Sequence, residues 1–334
     1  MTPVACFLER LPQEVAETIR TQLVVQYATV SAAGVPIDTP TAVFTSADLA
    51  TLDIATGLAY PAKAERVRRN PKVGLLIESG PDKPVISVAG VGVVRDRDLQ
   101  GNLQRYLAET ALVAGKTAIT DWSIAREAVW YYARVFVCIT PIHVRWWPNR
   151  EAMDHLPRSW RAAPRAIERE PDQAPIGETS KPPEWPQPPW QELAPGALER
   201  QAPCHLTLLD GEGYPLPIGV REVRARDDGF HLAVPGGAPW REGSASLSFQ
   251  GREIFVGRAA GEGLDIHLRV ERALPLFPLV ADVSQVLHPK ADTRAALMKR
   301  LELEAARRGQ AVPVMPRGVP QPTAGAIYRA ARSR

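Results

Sequence analysis

Hydrophobic residues between positions 23 and 94 alternate with polar residues or fall in short apolar runs, which is typical of β-strands. Turn residues such as Gly34 separate these stretches. One interruption differs, because residues 63–72 form a strongly basic stretch that we interpret as a short helix. The pattern therefore predicts a small β-barrel with one inserted helix, its strands lying at 23–31, 36–44, 52–56, 73–78 and 85–94.

The basic helix follows closely on the end of a predicted strand. Thr56 and Gly57 end that strand, and Pro61 opens the helix, where proline is well tolerated. The first N–H groups of a helix have no partner within it, and the helix dipole is positive at that end. Together with the charge of Lys63, these groups predict a phosphate-binding site. A solvated basic helix on an ordinary barrel is the alternative interpretation.

The order of these elements resembles that of the pyridoxamine 5'-phosphate oxidase-like FMN-binding split β-barrel superfamily, over roughly residues 12–148. The resemblance implies that Thr56 and Lys63 hold the phosphate of FMN. Residues 61–62, a proline and an alanine, stand where the family has a serine and an arginine. The resemblance therefore supports the superfamily and flavin binding, and it does not extend to pyridoxamine phosphate oxidase activity itself.

The chain repeats part of this pattern after residue 200. Residues 205–216 form an apolar stretch, a turn and a second stretch that match residues 28–37, and further strands follow at 230–234, 245–249, 255–259 and 268–275. In place of the basic helix the second half has a shorter loop, 236–243, with one cation. It also lacks the helical segment at 99–130. We therefore predict a mainly β chain with short helices (α+β), folded as two tandem split β-barrels of which the second is degenerate.

A proline-rich segment separates the two halves. Ten prolines fall between Pro157 and Pro195, which predicts an extended linker without regular helix or central strand. We expect Trp160, Trp185 and Trp190 to hold this linker against the barrels. The predicted organisation is a first barrel at 1–150, the linker at 151–195, the degenerate barrel at 196–290 and a C-terminal helix and tail at 291–334.

Four helices are predicted outside the barrels' strands, at 14–23, at 99–114, after Asp121 and at 293–308. Asp121 and Asp292 are the predicted N-cap residues of the last two, and Gly309 ends the final helix. We expect the residues from about Pro313 onward to be loosely held.

Composition limits the partners, metal sites and compartments that we expect for this chain. A net charge of +3 over 334 residues gives no global indication of nucleic-acid binding. The three cysteines are far apart and form no CxxC pair, so neither a zinc site nor a disulfide framework is predicted, and a reducing cytoplasm fits. No signal-peptide core and no long apolar stretch is present, so we expect no membrane association.

Small hydroxyl residues on the barrel strands complete the candidate site. Such groups can bond flavin carbonyl and ring nitrogen atoms without filling a groove. An indole from the Trp146–Trp147 pair, which ends the first barrel's last strand, can stack on the flavin ring. The candidate cofactor-binding residues are Thr39, Thr41, Thr56, Lys63, Arg66, Ser87 and Trp146. No side chain is predicted to be catalytic.

The predicted function is that of an FMN-dependent oxidoreductase acting on a small organic molecule, because in flavin enzymes the cofactor itself carries the redox chemistry. The resemblance leaves three alternatives: a deazaflavin (F420) reductase, a haem-binding or haem-degrading relative with His143 or His288 as axial ligand, and a non-catalytic flavin-binding protein. Members of the family place flavin between two barrels. A homodimer is therefore expected, although the second barrel of the same chain is an alternative partner.

Overall fold

The computed structural model describes residues 6–113, 116–163, 170–180, 187–262, 264–276 and 289–332. Within these ranges the chain forms two seven-stranded antiparallel sheets and one short hairpin. Among the described residues, no helix is long and apolar enough to cross a membrane.

The first sheet closes into a six-stranded barrel, which we call the first barrel. Around it the strands pair in the order β1-β2-β3-β8-β5-β4, and β4 pairs with β1 to close the ring. The described strands of this half are β1 (Val24–Val30), β2 (Pro36–Thr45), β3 (Leu52–Gly57), β4 (Lys72–Glu78), β5 (Val85–Arg95), the hairpin β6 (Leu112–Val113) and β7 (Lys116–Thr117), β8 (Arg134–Trp147) and β9 (Arg158–Arg161).

The alternation of inward and outward side chains along the strands explains the barrel core. Inward residues such as Tyr27, Ile54 and Val137 are almost completely buried together, as expected where every second side chain faces the same side of a sheet. A β-bulge between Ala89 and Gly90 shifts the register of β5 against β8. The split-barrel fold expected for the first half is confirmed.

Helices cover the ends and one side of the first barrel. The described helices of the chain are α1 (Gln13–Thr21), α2 (Ala62–Arg69), α3 (Leu99–Glu109), α4 (Trp122–Glu127), α5 (Val129–Tyr132), α6 (Trp190–Glu199), α7 (Ala291–Arg307) and α8 (Ala324–Arg332). The short basic helix predicted from the sequence is therefore present as α2, and its apolar residues Ala64 and Val67 pack into the barrel core.

One prediction about the helices is confirmed and two are wrong. Asp121 caps α4 as predicted, accepting bonds from the backbone N–H groups of Ser123 and Ile124. Asp292 does not cap α7, because that helix already begins at Ala291 and Asp292 lies in its first turn. The tail is not loose either, since α8 buries Ala326 and Arg329, and Arg329 pairs with Glu109 at the end of α3.

The second sheet repeats the strand order of the first. Its strands are β10 (Cys204–Asp210), β11 (Pro215–Gly219), β12 (Glu222–Arg226), β13 (Gly229–Ala233), β14 (Trp240–Phe249), β15 (Glu253–Glu262) and β16 (Asp265–Ala273). Strand β10 pairs with β11 and β14, β14 with β15, β15 with β16 and β16 with β13. In the first barrel, β1 pairs in the same way with β2 and β4, β4 with β5, β5 with β8 and β8 with β3.

The second sheet does not close. The extra strand β12 pairs with β13, and no pairing joins β11 to β13 in the described chain. The loop 236–243 contains no helix, and β14 already begins at Trp240. The predicted degenerate second barrel is thus confirmed as a curled half-barrel, which we call the second half-barrel.

The linker is less extended than predicted. β9 pairs with β8, and Trp160 of β9 lies 6.2 Å from the ring of Phe7. Trp190 opens α6, which continues through Pro195 because a single proline removes only one helical hydrogen bond. Trp185 lies outside the described residues.

The second half-barrel packs directly on the first barrel. A Cβ atom on Gly74 of β4 would lie 1.9 Å from the carbonyl oxygen of Pro215 on β11, so the two backbones approach where only glycine fits. Buried polar groups also cross the interface. The hydroxyl of Thr207 donates to Asp38 at 2.8 Å, and Arg145 pairs with Asp210 at 3.0 Å. The two halves therefore form one packed unit.

Candidate active site

The first barrel is open along one seam. β2 pairs with β3 only over Val43–Thr45 and Leu52–Ile54. The neighbouring residues 39–42 and 55–57 line a cavity of about 980 Å³. The cavity therefore lies where these two strands separate and where α2 begins.

The second half-barrel supplies another wall of this cavity. The turn between β14 and β15 contributes residues 250–252, and Ile254 and Leu274 lie beside them. Gly251 has a φ of +75°, and a Cβ atom there would lie 2.8 Å from Cδ of Pro40. The two halves of one chain thus enclose the same cavity.

Five of the seven predicted residues line the cavity. They come from β2, the end of β3 and the first turns of α2, and they are Thr39, Thr41, Thr56, Lys63 and Arg66. The order of elements along the chain therefore places these residues together, although they are distant in sequence.

The other two predicted residues do not line the cavity. Ser87 is buried on β5 opposite Arg145, and Trp146 is buried in the barrel core. β8 enters the cavity region at its first residue, Arg134, and Trp146 lies at its other end, roughly 40 Å along an extended strand. Neighbouring Trp147 donates its indole N–H to the carbonyl of His155 and so fixes the segment after β8.

The cavity is lined by three cations, Lys63, Arg66 and Arg134, that form no ion pair with a carboxylate of the described chain, although the buried Asp38 acts electrostatically on Lys63. Lys63 makes no hydrogen bond or ion pair within the described chain, and Arg66 has only the Thr29 hydroxyl at 3.5 Å. Among the residues that the structure describes, the guanidinium of Arg134 contacts tyrosine rings and hydroxyls and forms no ion pair with a carboxylate. The buried Arg145 and Arg308 pair with carboxylates, whereas the buried Arg300 donates to the side chain and carbonyl of Ser180. Because an uncompensated charge is costly to bury, this cluster is arranged for an anion.

Arg134 lies in a cage of tyrosines. Its guanidinium is 4.4 Å from the ring centres of both Tyr106 and Tyr131, which is cation–π distance. It donates to the hydroxyl oxygens of Tyr106 at 3.3 Å and Tyr60 at 3.5 Å, and its Nε has no partner in the described part of the chain. Burial raises the pKa of Tyr60 and of Tyr106, so their hydroxyls stay protonated and can donate onward to an anion.

The electrostatics of Lys63 reflect the same crowding of positive charge. Burial, followed by the nearby charges of Arg66 and Arg134, lowers the pKa of Lys63 to about 7, against a smaller opposing effect of the Asp38 carboxylate. A bound dianion would reverse the effect of these neighbours. Lys63 is therefore poised to take up a proton when an anion binds at neutral pH.

The hydroxyl groups near these cations are available to a ligand. The Oγ1 atom of Thr56 is buried and has no hydrogen-bond partner among the residues that the structure describes. On β2, the hydroxyls of Thr39 and Thr41 lie 3.5 Å apart and are partly buried. An orphaned buried hydroxyl beside unpaired cations fits a phosphate group.

Sequence reasoning did not identify Arg134, its tyrosines or the second half-barrel's contribution. The available signal for Arg134 was its position at the start of the last barrel strand, which pairs with Gly57 at the end of β3. Nothing local in the sequence indicates that residues 250–252 meet β2.

His143, the predicted haem ligand that the structure describes, does not line this cavity. It is buried on β8. Burial, and then the nearby Arg145, lower its pKa to about 4. His288 lies outside the described residues.

Comparison with known proteins agrees with this description only in part. No protein-family model matches the chain, and no curated protein matches it. Solved structures do match. One is described as a putative pyridoxamine 5'-phosphate oxidase from Listeria innocua, with 16% identity, a TM-score of 0.31 and coverage of 43% of this chain and 99% of that one.

Two further matches have other descriptions. One is an F420 reductase, with 14% identity, a TM-score of 0.30 and coverage of 40% of this chain and 98% of that one. The other is HutZ, a haem storage protein from Vibrio cholerae, with 15% identity, a TM-score of 0.28 and coverage of 39% and 89%. The strand order and the closing β3–β8 pairing of this chain carry the fold assignment on their own. Its first half is a split β-barrel.

Proposed function

We propose that the cavity binds FMN and that the protein is an FMN-dependent oxidoreductase acting on a small organic molecule. The observation that carries this proposal is the cluster of Lys63, Arg66 and Arg134, three cations at one cavity that form no ion pair with a carboxylate of the described chain. A phosphate monoester carries about two negative charges at neutral pH and three acceptor oxygens. It would compensate most of the charge that the described protein leaves unpaired.

The cavity residues divide into two groups in this proposal. Lys63, Arg66 and Arg134 hold the phosphate, with the Thr56 hydroxyl as a further donor. Thr39 and Thr41 offer hydroxyls to the ring system. Bound FMN would supply hydride or electron transfer, while the protein positions the substrate beside it. The volume of about 980 Å³ is at the upper end for small-molecule sites and leaves room for a substrate.

The alternatives are supported less well. A deazaflavin with an acidic tail would need further unpaired cations along the cavity, but Arg252 is already paired with Glu253 at 3.2 Å. Haem would need an axial ligand, and the described cavity lining contains no histidine. A non-catalytic flavin carrier remains the competing function, because the proposal assigns the titratable Lys63 to phosphate binding and gives no side chain a catalytic role.

Further proposals concern the second half-barrel, the cellular compartment and the oligomeric state. The second half-barrel is proposed to replace the second subunit that completes the flavin site in the resembled family, and to derive from an internal duplication. The shared strand order and a bulge at Val256–Gly257, which matches the one at Ala89–Gly90, support the duplication. The free thiols of Cys6, Cys138 and Cys204 support a reducing cytoplasm. Homodimerisation stays a prediction, to be tested by sedimentation of the full-length protein.

The test of the proposed function compares FMN with riboflavin, which lacks only the phosphate. Calorimetric titration of the full chain should give FMN an affinity at least a hundredfold higher, because two or more charge-assisted hydrogen bonds of about 1.5–3 kcal/mol each are lost with riboflavin. Equal affinities would refute the phosphate site. The visible spectrum of freshly purified protein distinguishes the cofactors, since flavin, deazaflavin and haem absorb differently. Reduction of bound FMN and its reoxidation by substrate candidates would separate an enzyme from a carrier.

A further inference from the structure

The helix that carries the proposed phosphate ligands has a second charged face. Lys63 and Arg66 of α2 line the cavity. Glu65 and Arg68, three residues apart and therefore neighbours on the helix surface, lie on another face, where Glu65 pairs with Arg307 of α7 and Arg68 pairs with Asp96. Glu65 is the one carboxylate of α2, and it lies in the first turn beside the proposed phosphate site.

The C-terminal helix α7 brings two arginines to this carboxylate. Arg307 pairs with Oε1 of Glu65, and Arg308 lies 3.4 Å from the same oxygen. Glu304, which is completely buried, holds both arginines in place, at 3.0 Å from Arg307 and 2.6 Å from Arg308. Two arginines therefore contact Glu65, and Glu304 holds both of them in position.

The remaining members of the cluster balance its charge. Asp96 accepts from Arg308 at 2.7 Å and from Arg68 at 2.6 Å. Three carboxylates, Glu65, Asp96 and Glu304, thus face three guanidinium groups, those of Arg68, Arg307 and Arg308. These six groups balance one another in charge, and Arg300 lies beside Glu304 as a further cation, bonded to Ser180. The carboxylates behind α2 are thus all compensated, in contrast to the unpaired cations on the cavity side.

This arrangement has an electrostatic consequence for the cavity. An unpaired Glu65 would place a negative charge one turn or less from Lys63 and Arg66, where it would weaken anion binding. With Arg307 and Arg308 beside it, that charge is compensated, and the field at the cavity stays positive. We propose that α7 sets the anion affinity of the cavity by neutralising Glu65, an inference that rests on the proposed function.

The test uses single and double variants of the full chain, with FMN affinity measured by calorimetry at low and moderate salt. Arg307→Met should lower FMN affinity by about tenfold, because it uncovers the charge of Glu65. Glu65→Gln should raise the affinity by about threefold, because it leaves Arg307 as an additional uncompensated cation. The double variant should return close to the wild-type value, and the differences should shrink as salt increases.

The sign of the Glu65→Gln effect separates charge compensation from simple support of the helix. If α7 only held α2 in place, both single variants would lose affinity and the double variant would lose at least as much, which would overturn the inference. Arg294→Met, at the other end of α7, and the exposed Glu302→Gln are matched controls and should leave affinity unchanged. Wild-type protein that binds FMN no better than riboflavin would instead refute the proposed function.

Discussion

Replacing Lys63 by methionine should weaken FMN binding and, at the same time, stabilise the ligand-free protein. Loss of a charge-assisted hydrogen bond to phosphate costs about 1.5–3 kcal/mol, or roughly 10–150-fold in affinity. Stability should rise because burial, and then the nearby charges of Arg66 and Arg134, lower the pKa of Lys63 from 10.5 to about 7 in the folded protein. Methionine keeps the length of the side chain and removes the charge.

The magnitude and the pH dependence follow from linkage. At about 1.4 kcal/mol for each tenfold change in acidity, the lowered pKa of Lys63 sets an upper bound of about 5 kcal/mol. Partial solvent exposure reduces the expected gain to about 1–2 kcal/mol. Between pH 10.5 and 7 the unfolded chain binds the proton and the folded chain does not, so wild-type stability falls as pH falls. The gain from Lys63→Met should therefore be largest at pH 7 and below, and small near pH 10.

Urea unfolding at pH 7 and pH 9.5, together with FMN titration, measures both effects. Lys83→Met is the control, since Lys83 is exposed in the turn between β4 and β5 and should change neither quantity. In wild-type protein, FMN binding at pH 8 should also take up a proton, which titration in buffers of different ionisation enthalpy detects. A Lys63→Met variant with unchanged FMN affinity, or with no stability gain at pH 7, would refute the reasoning.

Four further outcomes are expected. Arg134→Met should lower FMN affinity by about 10–100-fold, measured by titration, because the tyrosine cage then holds no cation; unchanged affinity would remove Arg134 from the site. Gly251→Ala should cost about 1–3 kcal/mol in urea unfolding and also weaken FMN binding, since its φ of +75° and its contact with Pro40 tolerate no Cβ; a neutral variant would show that this wall is not tightly packed. Asp38→Asn should stabilise the protein by about 1–3 kcal/mol above pH 6 and not below pH 4, because burial raises the pKa of Asp38 to about 6 and the wild-type protein loses stability as pH rises from 3.8 to that value; an equal effect at both pH values would contradict this. Calorimetry should give one FMN per chain, and two would mean that the second half-barrel also binds.

The strands were predictable because each corresponds to a local run or alternation of apolar residues in the sequence. The apolar runs at 73–78 and 85–94 match β4 and β5 to within a residue, and the basic residues of α2 precede them visibly. Thr56 and Lys63 could be placed together because one loop joins them. Local pattern therefore predicted the first barrel and one side of the cavity.

The rest of the cavity depends on contacts that no local pattern records. Arg134 reaches the cations through the β3–β8 pairing, and residues 250–252 reach β2 through packing of the two halves. Trp146 was assigned to the ring because of its aromatic character, but the length of β8 carries it to the opposite end of the barrel. The features that the sequence did not predict thus concern tertiary placement, which decides which of the candidate residues line the cavity.

The difference between the two halves explains why one site per chain is expected. The cleft that corresponds to the cavity, between the β4–β5 turn and the second half-barrel, has a volume of about 490 Å³. There the carboxylate of Asp154 accepts from Arg221 at 2.7 Å and from the backbone N–H of Gly236 at 3.2 Å. Gly236 belongs to the loop that stands in place of α2, so the protein's own anion lies where the first half offers unpaired cations. A phosphate entering this cleft would have to displace Asp154 and would find two arginines, Arg150 and Arg221, that are already paired with Glu78 and Asp154. At the cavity it meets three cations that form no ion pair within the described chain.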